Sequence, residues 1–576
     1  MKDDRGWIKH AAGRVQRFLF PCILFIYPLL AANQGIDISD PMYSLTNFRF
    51  FPELEGTWAL ATYLANAVGF LLMKLPFGGT LLGINIYTRL LISAMALLAY
   101  FFLKGKMPAW IVFVGEMIAI SYCWCPTTIL YNYLTYFFFL AGCILLYRGL
   151  IWGRRNLLIW AGVCLGLNVM VRTPNILEAL LILAVFYYGR MNGEEWAKIW
   201  KNVGWCVLGF AIGFLGIFCL ICIQYGPGAY FGMFTSLSGY SATDDSYSPL
   251  SMITSVLGAY GKTLPWIMVI LVCTLAGWLV FRALPKRLIW PARVGYGLCV
   301  LILVRLFWGR GVFTFTYYNY RSIYEWGMFL LYLALLSCIL VMGNARYFKR
   351  DRLLALIVLL SMIVTPIGSN NDTMPNLNNL FLAAPFAIWG IWRALAPRIG
   401  RASAFPAAAM TVMVVGMAFI QGVGFHASFA FGDGIYGEKR DAKVENSAIL
   451  KGMKTREDNA ENLTGLLGYM EGNSEEALVT FGNAPGLNYL LDMPPGISHA
   501  WPDLDTYPAE QMREELTALM ESDQPLPAVI LYKENGQMPE EGEKWRILQE
   551  YLTAGEYALL YENDGFIVYG TAGAAE

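Results

Sequence analysis

From Phe18 to about Gly424, apolar runs of about 16 to 22 residues alternate with short polar breaks, the length a helix needs to cross hydrocarbon. The runs predict spans at 18–32, 81–103, 107–124, 128–147, 157–171, 176–189, 203–223, 263–281, 294–309, 324–342, 353–367, 377–393 and 404–423, about 13 crossings. From Asp433 onward such runs vanish and acidic sequence containing Pro and Gly takes over. The pattern therefore predicts a polytopic α-helical membrane domain over 1–424 and a soluble domain over 425–576. In the second domain, strand-like runs at Glu475–Gly482, Pro527–Lys533, Tyr557–Tyr561 and Phe566–Tyr569 alternate with helical patterns at Leu487–Asp492, Ala509–Ser522 and Glu541–Thr553. Asn563-Asp564-Gly565 is a hairpin signal. A small mixed sheet covered by helices, an α/β domain, is expected.

Lysine and arginine set the orientation, because short cytoplasmic loops carry the excess of positive charge. Lys2, Arg5, Lys9, Arg14 and Arg17 precede the first span and place the N-terminus in the cytoplasm. The later clusters are Lys104/Lys106, Arg148/Arg154/Arg155, Arg190/Lys198/Lys201, Arg282/Lys286/Arg287/Arg293, Arg346/Lys349/Arg350/Arg352 and Arg393/Arg398/Arg401. All fall inside only if Thr57–Leu75 does not cross, so this segment reads as an interfacial or re-entrant helix on the outer face. An odd number of crossings then makes the C-terminal domain extracytoplasmic. Leu29-Leu30-Ala31-Ala32-Asn33-Gln34 is a poor cleavage site, so the first span reads as an uncleaved anchor in the plasma membrane.

Composition narrows the function. Hydrophobic residues are 57% and charged residues 15%, with a mean hydropathy of +0.48, against about a quarter charged in soluble chains. A soluble cytosolic enzyme is excluded. Net charge is zero, from 42 basic and 42 acidic residues, which removes nucleic acid as a partner. Three histidines leave little for a His-rich metal site. The eleven cysteines, Cys22 to Cys338, lie in or beside spans, so the exported domain has no disulfide framework. Cys123-Trp124-Cys125 reads as membrane packing rather than a redox pair.

Candidate chemistry concentrates at the outer face. The first outer loop, 33–56, places Asp37 and Asp40 just beyond the first span, followed by Tyr43, Asn47 and Arg49. A carboxylate there can take the proton of an acceptor hydroxyl; the alternative is that these acids are solvated or cap the following helix. Arg172, Arg305, Arg310 and Arg321 stand at outer span ends, against the topological bias. Guanidinium groups there suit a lipid phosphate, of a substrate or of ordinary phospholipid. Gly368-Ser369-Asn370-Asn371-Asp372 offers carboxamides and a carboxylate to sugar hydroxyls, or is a capped turn. The outer loop Gln224–Lys262, with Asp244 and Asp245, covers a cavity or is simply mobile. Within the spans, Arg89 and Glu116 lie at equal depth, roughly 12 Å below the outer ends, and are expected to pair.

Together these pieces resemble the C-type (GT-C) membrane glycosyltransferases, which take sugar from a polyprenyl-phosphate carrier at the outer face. The resemblance rests on Asp37-Ile38-Ser39-Asp40-Pro41-Met42-Tyr43 after an anchor span, an interfacial helix ending Leu75-Pro76-Phe77-Gly78-Gly79, and Asn85-Ile86-Tyr87-Thr88-Arg89-Leu90. It also rests on Gly162–Asn175 ending in Arg172-Thr173-Pro174, and on Phe481–Leu491 in the exported domain. It implies an inverting transfer from a polyprenyl-phosphate-linked sugar to an extracytoplasmic glycan, protein or glycolipid, with membrane lipids as further partners. Asp40 would be the base, with Asp37 orienting the acceptor or assisting a metal; the first loop leaves open which of the two is the base. Tyr43, Arg172, Arg310, Arg321, Asn370, Asn371 and Asp372 would bind substrate. No cofactor is indicated; a divalent cation is compatible, but the loop offers few ligands beyond Asp37 and Asp40. A transporter or flippase of lipid-linked sugars predicts inverted repeats, and none is seen. A glycan polymerase predicts a large later outer loop instead of acids in the first, and a non-catalytic member is the remaining alternative.

Overall fold

The computed structural model describes residues 13–54, 57–123, 128–235, 248–315, 317, 320–369, 371–398, 400–428, 432–434, 437–471, 476–534, 536–539 and 541–571. Apolar runs become helices because a backbone in hydrocarbon must satisfy its own polar groups. In chain order the helices used below are α1 Phe20–Ile26, α2 Asp40–Arg49, α3 Tyr63–Met73, α4 Leu81–Leu103, α5 Ala109–Tyr122, α6 Leu130–Trp152, α7 Arg155–Val171, α8 Ile182–Asn192 and α9 Trp196–Tyr225. They continue with α10 Pro249–Ala283, α11 Ile289–Gly309, α12 Arg321–Met342, α13 Lys349–Val364, α14 Ala383–Leu395 and α15 Phe405–Ser428. Seven helical stretches among the described residues are long and apolar enough to cross a bilayer. The chain is an integral membrane protein.

Several predicted spans take another form. The first is a π-helical turn, Val15–Leu19, then α1, then the 3-10 turn Tyr27–Leu29. The run at 176–189 divides into the 3-10 helix Thr173–Leu181 and α8, and the run at 377–393 into Met374–Asn378 and α14. Asn168, Asn175, Thr135 and Glu178 sit at the first break, where Asn168 donates to the Glu178 carboxylate at 2.6 Å and Asn175 to the Thr135 hydroxyl at 2.8 Å. α10 has 35 residues, about 52 Å at the helical rise. The predicted outer loop 224–262 is therefore helical at its far end from Pro249, while Asp244 and Asp245 lie outside the described residues. Thr57–Leu75 holds two helices, the longer being α3 with 11 residues, about 16 Å and too short to cross.

The predicted Arg89–Glu116 pair does not form. The Arg89 guanidinium donates instead to the carbonyls of Pro28 and Leu30, at 3.0 and 2.7 Å, closing the C-terminal end of the first segment. Both Glu116 carboxylate oxygens are buried without a hydrogen-bond partner among the described residues. Spacing along a helix carries no information about which way each side chain turns.

Two glycine pairs bind α9 to the bundle. A Cβ at Gly162 or Gly166 of α7 would strike the backbone of Cys206 or Phe210, and one at Gly209 or Gly213 of α9 would strike that of Ile159 or Val163. This is the four-residue spacing of small residues that lets membrane helices touch backbone to backbone.

The C-terminal domain has helices α16 Glu457–Met470, α17 Leu487–Leu491, α18 Ala509–Glu521 and α19 Glu543–Ala554. Its strands are β1 Leu478–Phe481, β2 Ala528–Tyr532, β3 Tyr557–Glu562 and β4 Phe566–Thr571, in the order β1-β2-β4-β3. β1 and β2 are parallel; β4 runs antiparallel to both neighbours, and Asn563 closes the hairpin by accepting from the amides of Gly565 and Phe566. The expected mixed sheet is present. One apolar cluster joins this domain to the membrane domain, combining Leu463, Leu466, Leu487 and Phe566 with Met42, Leu45, Leu130, Leu134 and Val171. The amides of Gly35 and Lys454 also exchange hydrogen bonds with Lys454 and Asn33 carbonyls, both 2.8 Å. After the orientation expected from the charge pattern, the side carrying this domain is named the outer face below and the domain itself the exported domain.

Candidate active site

α2 begins at Asp40, with Pro41 in its first turn and no side chain capping it. Proline suits that position because its missing N–H is not needed there, and an acid in the first turn faces the positive end of the helix dipole. Met42, Leu45 and Phe48, spaced three apart, are buried in the apolar cluster that joins the two domains, with the Phe48 ring against Gly69 of α3. This fixes the rotation of α2. The loop after β1 presses close on the same helix: Gly486 donates to the Ile38 carbonyl at 2.8 Å, Thr46 donates to that of Pro485 at 2.9 Å, and a Cβ at Gly486 would collide with Met42. The Gly482–Gly486 stretch noted in the sequence thus seats the exported domain on the helix that carries Asp40.

Asp37 and Asp40 are held differently. Asp37 Oδ1 accepts from the Ser39 amide at 3.0 Å and from its hydroxyl at 2.5 Å, while Oδ2 is buried and unpartnered. A Cβ at Gly432 would strike the Asp37 carboxylate, and Gly432 has φ +71°, a conformation only glycine adopts freely. Burial raises the Asp37 carboxyl to about 7, against the Ser39 hydrogen bonds and with added repulsion from Asp40 and Asp433. Asp40 makes no hydrogen bond or ion pair among the described residues, and burial raises it to about 6. Neither acid caps α2, so the capping alternative fails for both.

Behind them stands Asp433, which the sequence did not suggest. It accepts from the Ile36 amide at 2.8 Å and the Thr455 hydroxyl at 2.7 Å, and pairs with Arg456 at 3.3 Å. Its carboxylate is committed to holding the first loop against the exported domain. Asp37 Oδ1 is likewise occupied by Ser39, and no three His, Cys, Asp or Glu side chains among the described residues form a metal-binding group.

Tyr43, one turn after Asp40, reaches the exported domain. Its hydroxyl lies 3.1 Å from His499 Nε2, and its ring stacks on the imidazole at 5.4 Å and lies 5.7 Å from Trp501. His499 Nδ1 lies 2.9 Å from the Trp501 carbonyl and accepts from the Trp501 amide at 3.1 Å, and the tautomer of the ring sets which of His499 and Tyr43 donates to the other. Burial lowers the His499 pKa to about 4, so the ring is neutral at physiological pH. Arg49, at the other end of α2, grips Asp492 through two 2.5 Å contacts.

The second group lies around the 366–374 turn. Arg172 ends α7 in extended conformation, donates to the Gly368 carbonyl at 2.6 Å and lies 5.9 Å over the Tyr131 ring. Thr128, three residues before Tyr131, donates to the Pro41 carbonyl at 2.9 Å, so the Arg172 group and the start of α2 flank the same end of α6. Asp372 has φ +42° and accepts from the Thr373 amide and, at 3.2 Å, its hydroxyl; the Tyr324 hydroxyl is 3.4 Å away. Half of its carboxylate therefore serves the turn, the capped alternative. Asn371 is exposed, with its amide on Ser369. Asn370 and the side chain of Arg321 lie outside the described residues.

Arg310 follows α11 and lines a cavity of about 390 Å³ with Glu325, Tyr324, Tyr320 and Trp266. Thr263 donates to Glu325 at 3.1 Å. Neither aspartate nor Arg172 lines this cavity. Arg305 is exposed on α11.

His499, Trp501, Asp433 and Glu325 escaped the sequence reading. A signal existed for the first: it is one of only three histidines in the chain.

No family model matches the chain, and no curated protein matches it. Among solved structures, the chain is similar to ArnT from Cupriavidus metallidurans bound to undecaprenyl phosphate, at 12% identity and TM-score 0.40, covering 99% of each chain. It is also similar to the oligosaccharyltransferase AglB from Archaeoglobus fulgidus in complex with an inhibitory peptide and a dolichol-phosphate, at 13% identity and TM-score 0.45, covering 97% of this chain and 75% of that one. Another structure of the Archaeoglobus fulgidus oligosaccharyltransferase, with Zn and sulfate, gives 13% and 0.44, covering 96% and 72%. Likeness at this level transfers no residue's role.

Proposed function

We propose that the protein is a membrane glycosyltransferase that moves a sugar from a polyprenyl-phosphate donor to an acceptor outside the cytoplasm, with inversion. The observation that carries this reading is Asp40: a carboxylate free of partners among the described residues, at the outer face, beneath the exported domain. Its pKa of about 6 leaves it mostly ionised yet basic near neutral pH, the range in which a general base is effective. Burial raises both acids, Asp37 the more, so Asp40 is the readier of the two to be ionised near neutral pH.

In the transfer, Asp40 takes the proton of the acceptor hydroxyl as its oxygen bonds to the anomeric carbon. The bond from that carbon to the phosphate oxygen breaks, and the electron pair leaves with the lipid phosphate. Arg172 and Arg310 supply fixed positive charge for that phosphate, which needs no reorganisation as charge develops. Tyr43, His499 and Trp501 form an aromatic and hydrogen-bonding surface beside the base for the acceptor. Arg321, Asn370, Asn371 and Asp372 remain candidates for sugar contacts.

The test is transfer of label from polyprenyl-phosphate sugars by membranes carrying wild type, Asp40→Asn or Asp37→Asn at equal expression. Loss with Asp40→Asn and partial retention with Asp37→Asn is expected. Unchanged transfer by Asp40→Asn would overturn the assignment of the base, and lipid movement between leaflets without transfer would replace the enzyme with a transporter.

A further inference from the structure

The membrane domain has a second charged cavity at the end away from Asp40. α4 starts beside the exported domain, where Leu81 donates to the Ile449 carbonyl, and runs 23 residues, about 34 Å, to Lys104. There, a cavity of about 380 Å³ opens between the α4–α5 turn, the start of α13 and the end of α14. Four cations, Lys104, Lys106, Arg350 and Arg393, line it against one carboxylate, Asp351.

That carboxylate does not neutralise the group. It lies 3.8 Å from Arg350, a loose contact, and it is the sole acid among the described lining residues. Lys106 is turned inward, donating to the Phe102 carbonyl at 2.6 Å with its ammonium 3.7 Å from the Phe102 ring centre. Burial and repulsion from Arg148 and Arg350 push its pKa down to about 8, despite Asp351. The first turn of α13 adds the positive end of a 16-residue helix that has no side-chain cap. Positive charge has thus been gathered beyond what the protein itself balances.

The surroundings identify the depth. Trp389 and Trp392 form the wall, and Phe348, Trp110 and Trp152 are exposed around the same end of the bundle. Aromatic side chains of this kind gather at headgroup level, and basic pockets between spans on the inner side receive anionic headgroups. In the orientation set by the charge bias, this is the cytoplasmic leaflet.

We infer that this cavity is a binding site for a phosphate group, that of an anionic phospholipid of the inner leaflet, separate from the outer-face chemistry. Phosphate meets the lining guanidinium and ammonium groups, and the acyl chains leave along the exposed apolar helix faces. The inference is independent of the proposed transfer reaction.

The experiment uses the full chain purified in detergent, with phosphatidylglycerol, phosphatidylcholine or inorganic phosphate added and bound lipid counted by native mass spectrometry. Wild type should retain phosphatidylglycerol and release phosphatidylcholine. Lys104→Gln and Arg350→Gln should each weaken retention by about five-fold, the worth of one cation near an anionic surface. Asp351→Asn should strengthen it, an outcome that misfolding does not imitate. Lys286→Gln with Arg287→Gln, exposed cations at another inner turn, should change nothing. Displacement of the lipid by millimolar inorganic phosphate, or phosphate binding without lipid retention, would assign a soluble phosphate compound as the source. Equal retention by wild type, Arg350→Gln and the Lys286/Arg287 variant would overturn the site and leave only diffuse attraction.

Discussion

The spans of the membrane domain divide into two kinds. α6 has 67% of its apolar stretch buried, α12 56% and α4 50%, whereas the stretches of α9 and α10 reach 17% and Lys286–Gly309 only 6%. The two polar groups at the outer face follow this division. Asp37 and Asp40 sit on the well-packed side, locked by α2, Asp433 and the exported domain. The Arg310 cavity lies where the loosely packed α11 meets α12. A base must be held within a fraction of an ångström, while a site for a lipid headgroup must admit a molecule arriving sideways from the bilayer. Under the proposed function, the packing contrast would serve both needs.

The comparison breaks most directly at its rigid end. Asp40→Asn should lower the turnover number by about 10²- to 10⁴-fold with donor KM nearly unchanged, since only proton removal is lost; steady-state kinetics with varied donor checks this. At the loose end, Arg310→Gln should reduce kcat/KM by roughly 10²-fold and raise donor KM as well. A kcat effect alone would place Arg310 away from the bound lipid. Asp433→Ala leaves Arg456 without its buried partner and should destabilise the exported domain's seating by about 3 kcal/mol, read as a lowered unfolding midpoint. The smallest effect is that of pH. With Asp40 raised to about 6, its ionised fraction falls as pH drops through that value. The rate should be flat near neutrality and decline about ten-fold per unit well below pH 6. An acid limb near 4 instead would mean a solvated base.

Much of this contrast is legible in the sequence and some of it cannot be. Hydropathy located the seven long apolar helices and the buried strands β1, β2 and β4 because burial leaves apolar runs, whereas the exposed β3 was marked by the Asn563-Asp564-Gly565 turn beside it. The first loop stood out because acids followed an anchor span. The 3-10 helix at Thr173–Leu181 was missed because apolar content does not distinguish helix types. Arg89 was given the wrong partner because the sequence sets depth along a helix and not rotation around it. Tyr43 and His499 are 456 residues apart, and only the docking of two domains brings them together.

The backbone contact between α7 and α9 bears on how this protein tolerates change. Gly162, Gly166, Gly209 and Gly213 meet facing main chain, so any larger residue there must push two helices apart. Val207, Leu208, Ile212 and Leu215, on the same helix as two of them, are exposed. A saturation library over α9 should therefore split sharply: near-free exchange among apolar residues at those four positions, and rejection of nearly everything at the glycines. A helix with little of its apolar stretch buried would then be anchored by its smallest side chains, with its outward side open to drift.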